Sequence, residues 1–523
     1  MTFRPPDRFN IAGYFLDQRI EEGRGDRIAL RTDTGELTYR QVQALSNQFA
    51  QALAGLGVRS EERALIALRD TPEFVGAFFG VLKLGAVVVM VNPDLESDNL
   101  AALLDYSRAS CVVVDSGVLS AFETAAQKSS REPCFLVVGS DAGGRPSFDE
   151  SVGNLGTDFE TRLCHPDDPA IWLFSGGTTG RPKAVVQTHR SFANTTECYA
   201  KNALGYAESD VTLSVPKLFF GYATGSNLLF PFSVGASAVL FPERPTAEVL
   251  FEKAARHGAT ILVNVPTMIN QMVGHADAGG GHLATLRFAT SAGEALPAPL
   301  YHRWKQTFGV ELLDGLGTAE MWHIFLSNTP DAVKPGTLGR AVPGFEVRVC
   351  DESGHEVPDG EVGQLWVRGD SRAIGYWQNI AKTSAAFRGE WFVGGDLVQR
   401  DAEGYVSYRG RGDDVLKVGG KWLAPQEVES CLMRHEGVDE CAVVGVTNAD
   451  GLTKPIAFVV PKEQRAPESD LAEELKAFVL EHLQPYKHPR RVHLVEAFKR
   501  THLGKIDRTA LKKLATELAG EGE

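Results

Sequence analysis

Between residues 64 and 313, short apolar runs alternate with stretches of helical spacing, and this alternation is the strongest constraint on the fold. Strands that alternate with helices call for a parallel sheet covered on both faces. Residues 64–67, 86–91 and 111–115 read as buried strands, with helices at 73–84 and 95–106 between them. Strands at 212–216, 236–240, 260–265, 287–291 and 310–313 continue the pattern, with a helix at 191–202. Residues 11–60 read as mainly helical. Residues 37–39 are a short strand or turn, and 41–56 set Val42, Leu45, Phe49, Leu53 and Leu56 at helical spacing. Residues 140–168, rich in Gly, Ser, Asp and Pro, read as a surface connection.

At 523 residues the chain exceeds one compact core. From Gly339 the pattern shifts to short alternating strands at 346–350, 363–368 and 391–393, a small β-rich subdomain. The glycine-rich acidic stretch Gly410-Arg411-Gly412-Asp413-Asp414 then precedes a compact α/β unit. That unit has helices near 425–435 and 470–483 and strands at 440–446, 455–460 and 492–495. The expected organisation is α/β: a large N-terminal domain over 1–411, with its β-rich subdomain at about 339–411, and a small domain over 412–523.

The loop Ser175-Gly176-Gly177-Thr178-Thr179-Gly180-Arg181-Pro182-Lys183 lies between two strand-like apolar runs, 170–174 and 184–186. Its glycines free backbone N–H groups to curl round an anion, and its hydroxyls and cations add donors and charge. It reads as a polyphosphate loop; the plainer reading is a glycine-rich hairpin. It is not the Walker type, because Lys183 leads into a strand rather than a helix. Two more glycine-bearing segments follow buried strands: Ala292-Gly293-Glu294-Ala295-Leu296-Pro297 and Asp314-Gly315-Leu316-Gly317-Thr318-Ala319-Glu320. Loops at the C-terminal ends of parallel strands gather ligands, so the three point to one nucleotide-sized crevice.

The formal charge of −14 argues against a general nucleic-acid or anionic-membrane surface. Seven cysteines without a CxxC pair suit reduced thiols in a cytoplasmic protein. The N-terminus carries no apolar signal core, and the greasiest stretch, residues 75–91, contains Lys83 and reads as a helix and a strand rather than a membrane span.

The phosphate loop, the Gly-Thr-Ala-Glu segment, Gly394-Gly395-Asp396-Leu397, Gly410-Arg411-Gly412-Asp413-Asp414 and His502-Leu503-Gly504-Lys505-Ile506 occur in this order. Together they resemble the adenylate-forming superfamily of acyl-CoA ligases, carrier-protein adenylation domains and luciferases, over nearly the whole chain. Lys217-Leu218-Phe219-Phe220-Gly221-Tyr222 and Glu320-Met321-Trp322-His323-Ile324-Phe325-Leu326-Ser327-Asn328 are similar to benzoate-CoA ligases and their anthranilate relatives. The resemblance implies an ATP-dependent aryl-CoA ligase, with Mg²⁺ as metal and coenzyme A as cosubstrate. It would make aryl-AMP and pyrophosphate, then exchange AMP for CoA thiol. A stand-alone adenylation enzyme that loads a carrier protein is the alternative. Luciferase-like oxidation would need a pocket not visible in the sequence. A non-enzymatic nucleotide-binding module would be expected to lack Lys505 or Glu320.

The resemblance also implies roles. The phosphate loop (Ser175, Gly176, Gly177, Thr178, Thr179, Gly180, Lys183) would hold the β- and γ-phosphates, with Thr318 donating to a phosphate oxygen. Glu320 would hold Mg²⁺, which keeps waters and needs few carboxylates; the plainer reading is a helix N-terminal carboxylate. Gly293, Glu294, Ala295, Asp314, Gly315, Leu316 and Gly317 would border the nucleotide, Asp396 would accept from the ribose hydroxyls, and Arg411 would reach ribose or phosphate. The family has Thr where Gly394 precedes Gly395-Asp396. Lys505 would bridge the substrate carboxylate and the α-phosphate. Asp413 would be the hinge about which the small domain rotates between the two half-reactions. Gly419, Gly420, Lys421 and Trp422 would border the pantetheine tunnel, although Lys421-Trp422 departs from the family.

The acyl pocket would draw on Phe220, Tyr222, Ala223, Thr224, Gly225, Ser291, Gly293, His323, Ile324 and Lys417. A flat aryl acid wants a narrow slot with apolar walls and a few polar groups. His323 would meet the carboxylate or an ortho substituent, or else be a structural histidine in a core helix. Phe219 and Phe220 are a gate or core aromatics. Beyond the small aryl acid, ATP and CoA, a downstream acyltransferase, a carrier protein and a second copy of the chain are partners the sequence leaves open. Nucleic acid and membrane are not expected.

Overall fold

The computed structural model describes residues 4–175, 183–412, 416–418, 421–447, 453–462, 468–499 and 506–520. They fall into two compact units. The described residues of the larger lie within Met1–Gly177, Arg181–Val347 and Val367–Phe392; those of the smaller lie within Arg348–Trp366 and Val393–Glu523.

The larger unit holds two helix-covered sheets. In the seven-stranded sheet, Arg63–Ala67 lies between Val87–Met90 and Cys111–Asp115, all parallel, with Cys134–Val138 beyond. On the other side Pro169–Ser175 pairs parallel to Val87–Met90 and antiparallel to Lys183–Thr188, which carries the two-residue strand Gly375–Tyr376 at the edge. In the nine-stranded sheet, Ser237–Val239, Val211–Ser214, Ile261–Asn264, Phe288–Ser291 and Glu311–Thr318 run parallel in that spatial order. The central parallel strands of both sheets, such as Val87–Met90 and Ile261–Asn264, are buried on two faces, as parallel strands must be. Among the described residues no helix is long and apolar enough to cross a membrane. All seven cysteines are free thiols.

The α/β alternation holds, with most boundaries within two residues. The 41–56 spacing becomes the helix Tyr39–Gly55, opened by a capping box in which Thr38 Oγ1 accepts from Gln41 N (3.2 Å) and Gln41 Oε1 from Thr38 N (2.8 Å). Residues 11–60 are less helical than expected: Ile28–Thr32 and Gly35–Thr38 form an antiparallel hairpin on the edge of the larger sheet. Its turn is tied by Thr32 Oγ1, which accepts from Thr34 N and Gly35 N. The larger correction is at 314–320. The strand does not end at Leu313 but continues to Thr318, and His323–Ser327 returns antiparallel beside it. His323 therefore sits in a strand, not in a core helix.

The smaller unit contains the three-stranded sheet Val438–Thr447, Thr453–Pro461 and Arg491–Leu494, with the helices Pro425–Leu432, Glu468–His482 and Arg508–Gly520. Arg508 joins the last helix to the first through both Glu429 carboxylate oxygens, at 2.7 and 2.9 Å. Here also Val406–Arg411 pairs antiparallel with Asp396–Arg400, the later part of the strand Trp391–Arg400. Gly394-Gly395-Asp396 lies inside that strand, which runs on past the expected end at 393 to Arg400.

Candidate functional site

The hairpin Glu311–Ser327 carries Thr318 and, through the turn between its strands, Glu320. Thr318 Oγ1 accepts from Met321 N at 3.3 Å and caps the single 3₁₀ turn Ala319–Met321. The chain then reverses through Trp322 and His323 at φ 41° and 76°, values that L-residues adopt only when their surroundings force them. Gly317 permits this reversal: a Cβ there would stand 2.8 Å from Ile324 N and closer still to His323 O. The turn is tied to the other sheet by Gln187 Nε2, which donates to Ala319 O (2.6 Å), and by Ala373 N, which donates to Glu320 O (2.8 Å).

These ties bring Glu320 and Lys183 to one neighbourhood. Tyr376 Oη donates to Glu320 Oε1 at 2.7 Å, and Lys183 Nζ lies 5.5 Å from the centre of the Tyr376 ring. A buried carboxylate and a cation thus share one tyrosine beside the end of the phosphate loop. One Glu320 carboxylate oxygen remains beyond the Tyr376 bond, and a single carboxylate is what a largely hydrated Mg²⁺ would need.

The second cluster is aromatic. Tyr222, in the short helix Gly221–Thr224, bonds Thr290 Oγ1 through its hydroxyl (2.7 Å). His323 Nε2 lies 3.0 Å from Tyr222 O and 3.1 Å from Ser226 Oγ. The imidazole is ringed by Tyr199, Tyr222, Phe230 and Trp322, with centroids 4.7–5.8 Å away. Burial pushes its pKa down to about 4, so the ring is neutral at pH 7. Tyr222 O can only accept, so Nε2 carries the proton and Nδ1 is an acceptor. Nδ1 is buried and has no hydrogen-bond partner among the described residues.

The other expected residues described in the larger unit are placed by its strands, its loops and the helix Gly221–Thr224. Ser291 and Asp314 are register partners on adjacent strands, and neither Ser291 Oγ nor Asp314 Oδ1 has a hydrogen-bond partner of good geometry among the described residues. Burial raises the Asp314 carboxyl well above the usual carboxylate range. Gly315 pairs with Ser327 and Leu316 with Leu326 in the hairpin, and Ile324 is buried opposite Gly317. Gly293 stands at φ 88° with nothing near its Cβ direction. Glu294 turns to helix Pro266–Gly274, where Oε2 accepts from Thr267 N (3.1 Å) and Oγ1 (2.8 Å), and Ala295 follows it on the same segment. Ala223 is packed in the apolar core, and Thr224 Oγ1 is spent on Leu218 O (2.7 Å) and Phe220 O (3.1 Å). Phe219 and Phe220 are half-buried, with rings 4.4 Å apart.

In the smaller unit, buried Asp396 is the register partner of Arg411, accepts from Tyr408 Oη at 3.3 Å, and has Arg411 Nη2 3.0 Å from where a Gly395 Cβ would be. A side chain at 395 would displace that guanidinium. Lys417 pairs with Trp422 and Val418 with Lys421 in a two-stranded ribbon. Ser175 ends its strand in register with Lys183. Gly176, Gly177, Thr178, Thr179, Gly180, Asp413, Gly419, Gly420 and Lys505 lie outside the described residues.

Sequence reasoning missed Tyr376, Gln187, Thr290, Ser226 and Tyr199. Ser226 adjoins the Gly221-Tyr222 motif and was within reach. Tyr376 and Gln187 belong to distant strands and carried no local signal.

The AMP-binding enzyme family model matches residues 16–377, and the AMP-binding enzyme C-terminal domain matches 427–505. The benzoate-CoA ligase of Thauera aromatica is 40% identical over 509 residues, which is 97% of this chain and 96% of that protein. The crystal structure of the anthranilate CoA ligase AuaEII in complex with anthranoyl-AMP superposes with a TM-score of 0.94 at 37% identity, covering 99% of both chains. The benzoate CoA ligase from Burkholderia xenovorans gives 0.89 at 42% identity, covering 96% of this chain and 100% of that one. With both family segments matched and a relative this similar along almost its full length, the chain belongs to the AMP-binding enzyme family.

Proposed function

We propose that the chain is an AMP-forming aryl-CoA ligase. An aryl carboxylate oxygen attacks the α-phosphorus of ATP and pyrophosphate leaves; the CoA thiol then attacks the acyl carbon and AMP leaves, giving aryl-CoA. The observation that carries this is the match at TM-score 0.94 to an anthranilate CoA ligase holding anthranoyl-AMP. The His323 cage adds flat aromatic walls of the kind an aryl ring packs against.

The first step gathers negative charge on phosphate oxygens, so its catalysis is positioning and preorganised positive charge. In this reading Lys183 and the loop beside it hold the leaving pyrophosphate, with Thr318 as a donor. Glu320 would hold Mg²⁺, which neutralises phosphate charge when bound. Asp396 takes the ribose hydroxyls with Arg411 alongside, and Lys505 supplies the charge that brings carboxylate and α-phosphate together. Asp413 serves as the hinge, and the 416–423 ribbon borders CoA.

His323 bears on which acid is used. A neutral imidazole with Nδ1 as a free acceptor repels a carboxylate and welcomes an N–H or O–H donor. The reading therefore favours an aryl acid with an amino or hydroxyl substituent, such as 2-aminobenzoate, over unsubstituted benzoate. A site built to bond such a donor rejects the analogue lacking it.

The test is pyrophosphate release by the purified protein with ATP, Mg²⁺ and a panel of aryl acids, with aryl-CoA identified by mass. Aryl-CoA formed from free CoA supports the ligase. Aryl-AMP that transfers only to a holo-carrier protein would assign the chain to carrier loading instead. No pyrophosphate with any acid would refute both.

A further inference from the structure

Asp70 and Lys217 belong to neither cluster above, yet they place two charges inside the protein. Asp70 is 4% exposed and Lys217 half-buried. Asp70 follows strand Arg63–Ala67 of the seven-stranded sheet; Lys217 follows Val211–Ser214 of the nine-stranded one. Asp70 Oδ1 accepts from Leu218 N at 2.9 Å. Lys217 Nζ donates to Phe241 O at 2.6 Å and lies 3.5 Å from the Phe241 ring centre, just beyond strand Ser237–Val239. The same short turn is closed by Phe220 N to Lys217 O (2.9 Å) and by Thr224 Oγ1 to Leu218 O (2.7 Å). Three strand ends thus converge on residues 217–220, and the helix bearing Tyr222 starts at the next residue.

We propose that Asp70 and Lys217 are positioning residues for the aryl acid: they clamp the 217–220 turn and so fix Tyr222 against His323 and Thr290. This rests on the Tyr222–His323 cage being the aryl site. The pair is an expensive way to obtain stability. Burial pushes Asp70 up to about 6 and Lys217 down to about 8; each opposes the other's shift, with Glu243 and Arg69 nearby. The two make no direct ion pair, their bonds going to Leu218 N and Phe241 O, and apolar residues of similar size commonly replace buried charges without loss of stability. What they would not replace is the bond to Leu218 N–H, which sets the turn's orientation.

The clamp is tested in the full-length enzyme with 2-aminobenzoate and benzoate, comparing Asp70→Ala, Asp70→Asn and Lys217→Met. Asp70→Ala should raise KM for the aryl acid about 10-fold while KM for ATP stays within about two-fold, because only the aryl wall moves. Asp70→Asn keeps an oxygen that can accept from Leu218 N–H and should restore the aryl KM to within about three-fold of wild type. Lys217→Met should raise the aryl KM about three-fold or more, and it serves if Asp70→Ala does not fold. Amide exchange of peptides over residues 217–225 should quicken in Asp70→Ala and not in Asp70→Asn. Equal rises in both KM values, or unchanged aryl KM and exchange in a folded Asp70→Ala, would overturn the clamp. If the wild type turned over no aryl acid, the ligase reading would fall, while the exchange comparison would still decide the clamp.

Discussion

Gly225→Ala probes the aryl cage with one carbon atom. The added Cβ would stand 2.7 Å from His323 Nε2 and 3.2 Å from Phe230 Cζ, with His323 Cδ2 nearer still. His323 cannot retreat without giving up Tyr222 O and Ser226 Oγ, 3.0 and 3.1 Å from Nε2. Overpacking a filled core costs about 1–3 kcal/mol. A buried bond left unmade adds about 1–3 kcal/mol. Replacing a helical glycine by alanine returns about 1 kcal/mol, so the net loss should be about 1–5 kcal/mol. The assay pairs urea unfolding with pyrophosphate-release kinetics. The variant should lose that stability and about 10–100-fold in kcat/KM for the aryl acid, with KM for ATP unchanged. Wild-type kcat/KM for the acid would refute His323 as a wall of the aryl site, and wild-type stability would refute the packing argument.

Other perturbations separate the remaining roles. Lys505→Ala should abolish aryl-AMP formation yet still convert supplied aryl-AMP and CoA to thioester; equal loss of both half-reactions would contradict its role. Asp413→Pro should slow the two half-reactions unequally, and unchanged rates for both would reject the hinge. Acid should weaken the fold through His323. Its folded pKa is depressed to about 4 against 6.5, so between those values the unfolded chain binds the extra proton and stability falls as pH falls. The full 2.5-unit difference is worth about 3 kcal/mol at most. His323→Gln should therefore lose less stability than wild type between pH 6.5 and 4.5, as read by urea midpoints; identical slopes would refute this. Asp70, raised to about 6, acts in the opposite direction over pH 3.8–6 and is present in both proteins.

Where the sequence was legible, the physics was local. Runs such as Val87–Met90 and Cys111–Asp115 are apolar enough that only a doubly covered sheet can bury them. Ala292–Pro297 is the loop its glycine and proline announced, with Gly293 at φ 88° just past strand Phe288–Ser291. Illegibility began where pairing decided conformation. Asp314-Gly315-Leu316-Gly317 looks like a loop because two glycines weaken any strand pattern. It becomes a strand because His323–Ser327 approaches too closely for any side chain at 317. The same pairing turned His323 from a helical residue into the centre of an aromatic cage. Tyr376 shows the other limit: its tie to Glu320 spans 56 residues and depends on a two-residue strand that no periodicity reveals. The helix Leu119–Lys128 and strand Cys134–Val138 went unread because neither adjoined a motif.

The central claim, transfer of an aryl carboxylate through an adenylate, is tested most directly by an oxygen label. The enzyme is given ATP, CoA and 2-aminobenzoate carrying ¹⁸O in both carboxylate oxygens, and the products are weighed. Attack of the carboxylate on the α-phosphorus places one labelled oxygen in AMP, leaves the other in the thioester carbonyl, and leaves pyrophosphate unlabelled. Label in pyrophosphate or in inorganic phosphate, or unlabelled AMP alongside aryl-CoA, would contradict the account.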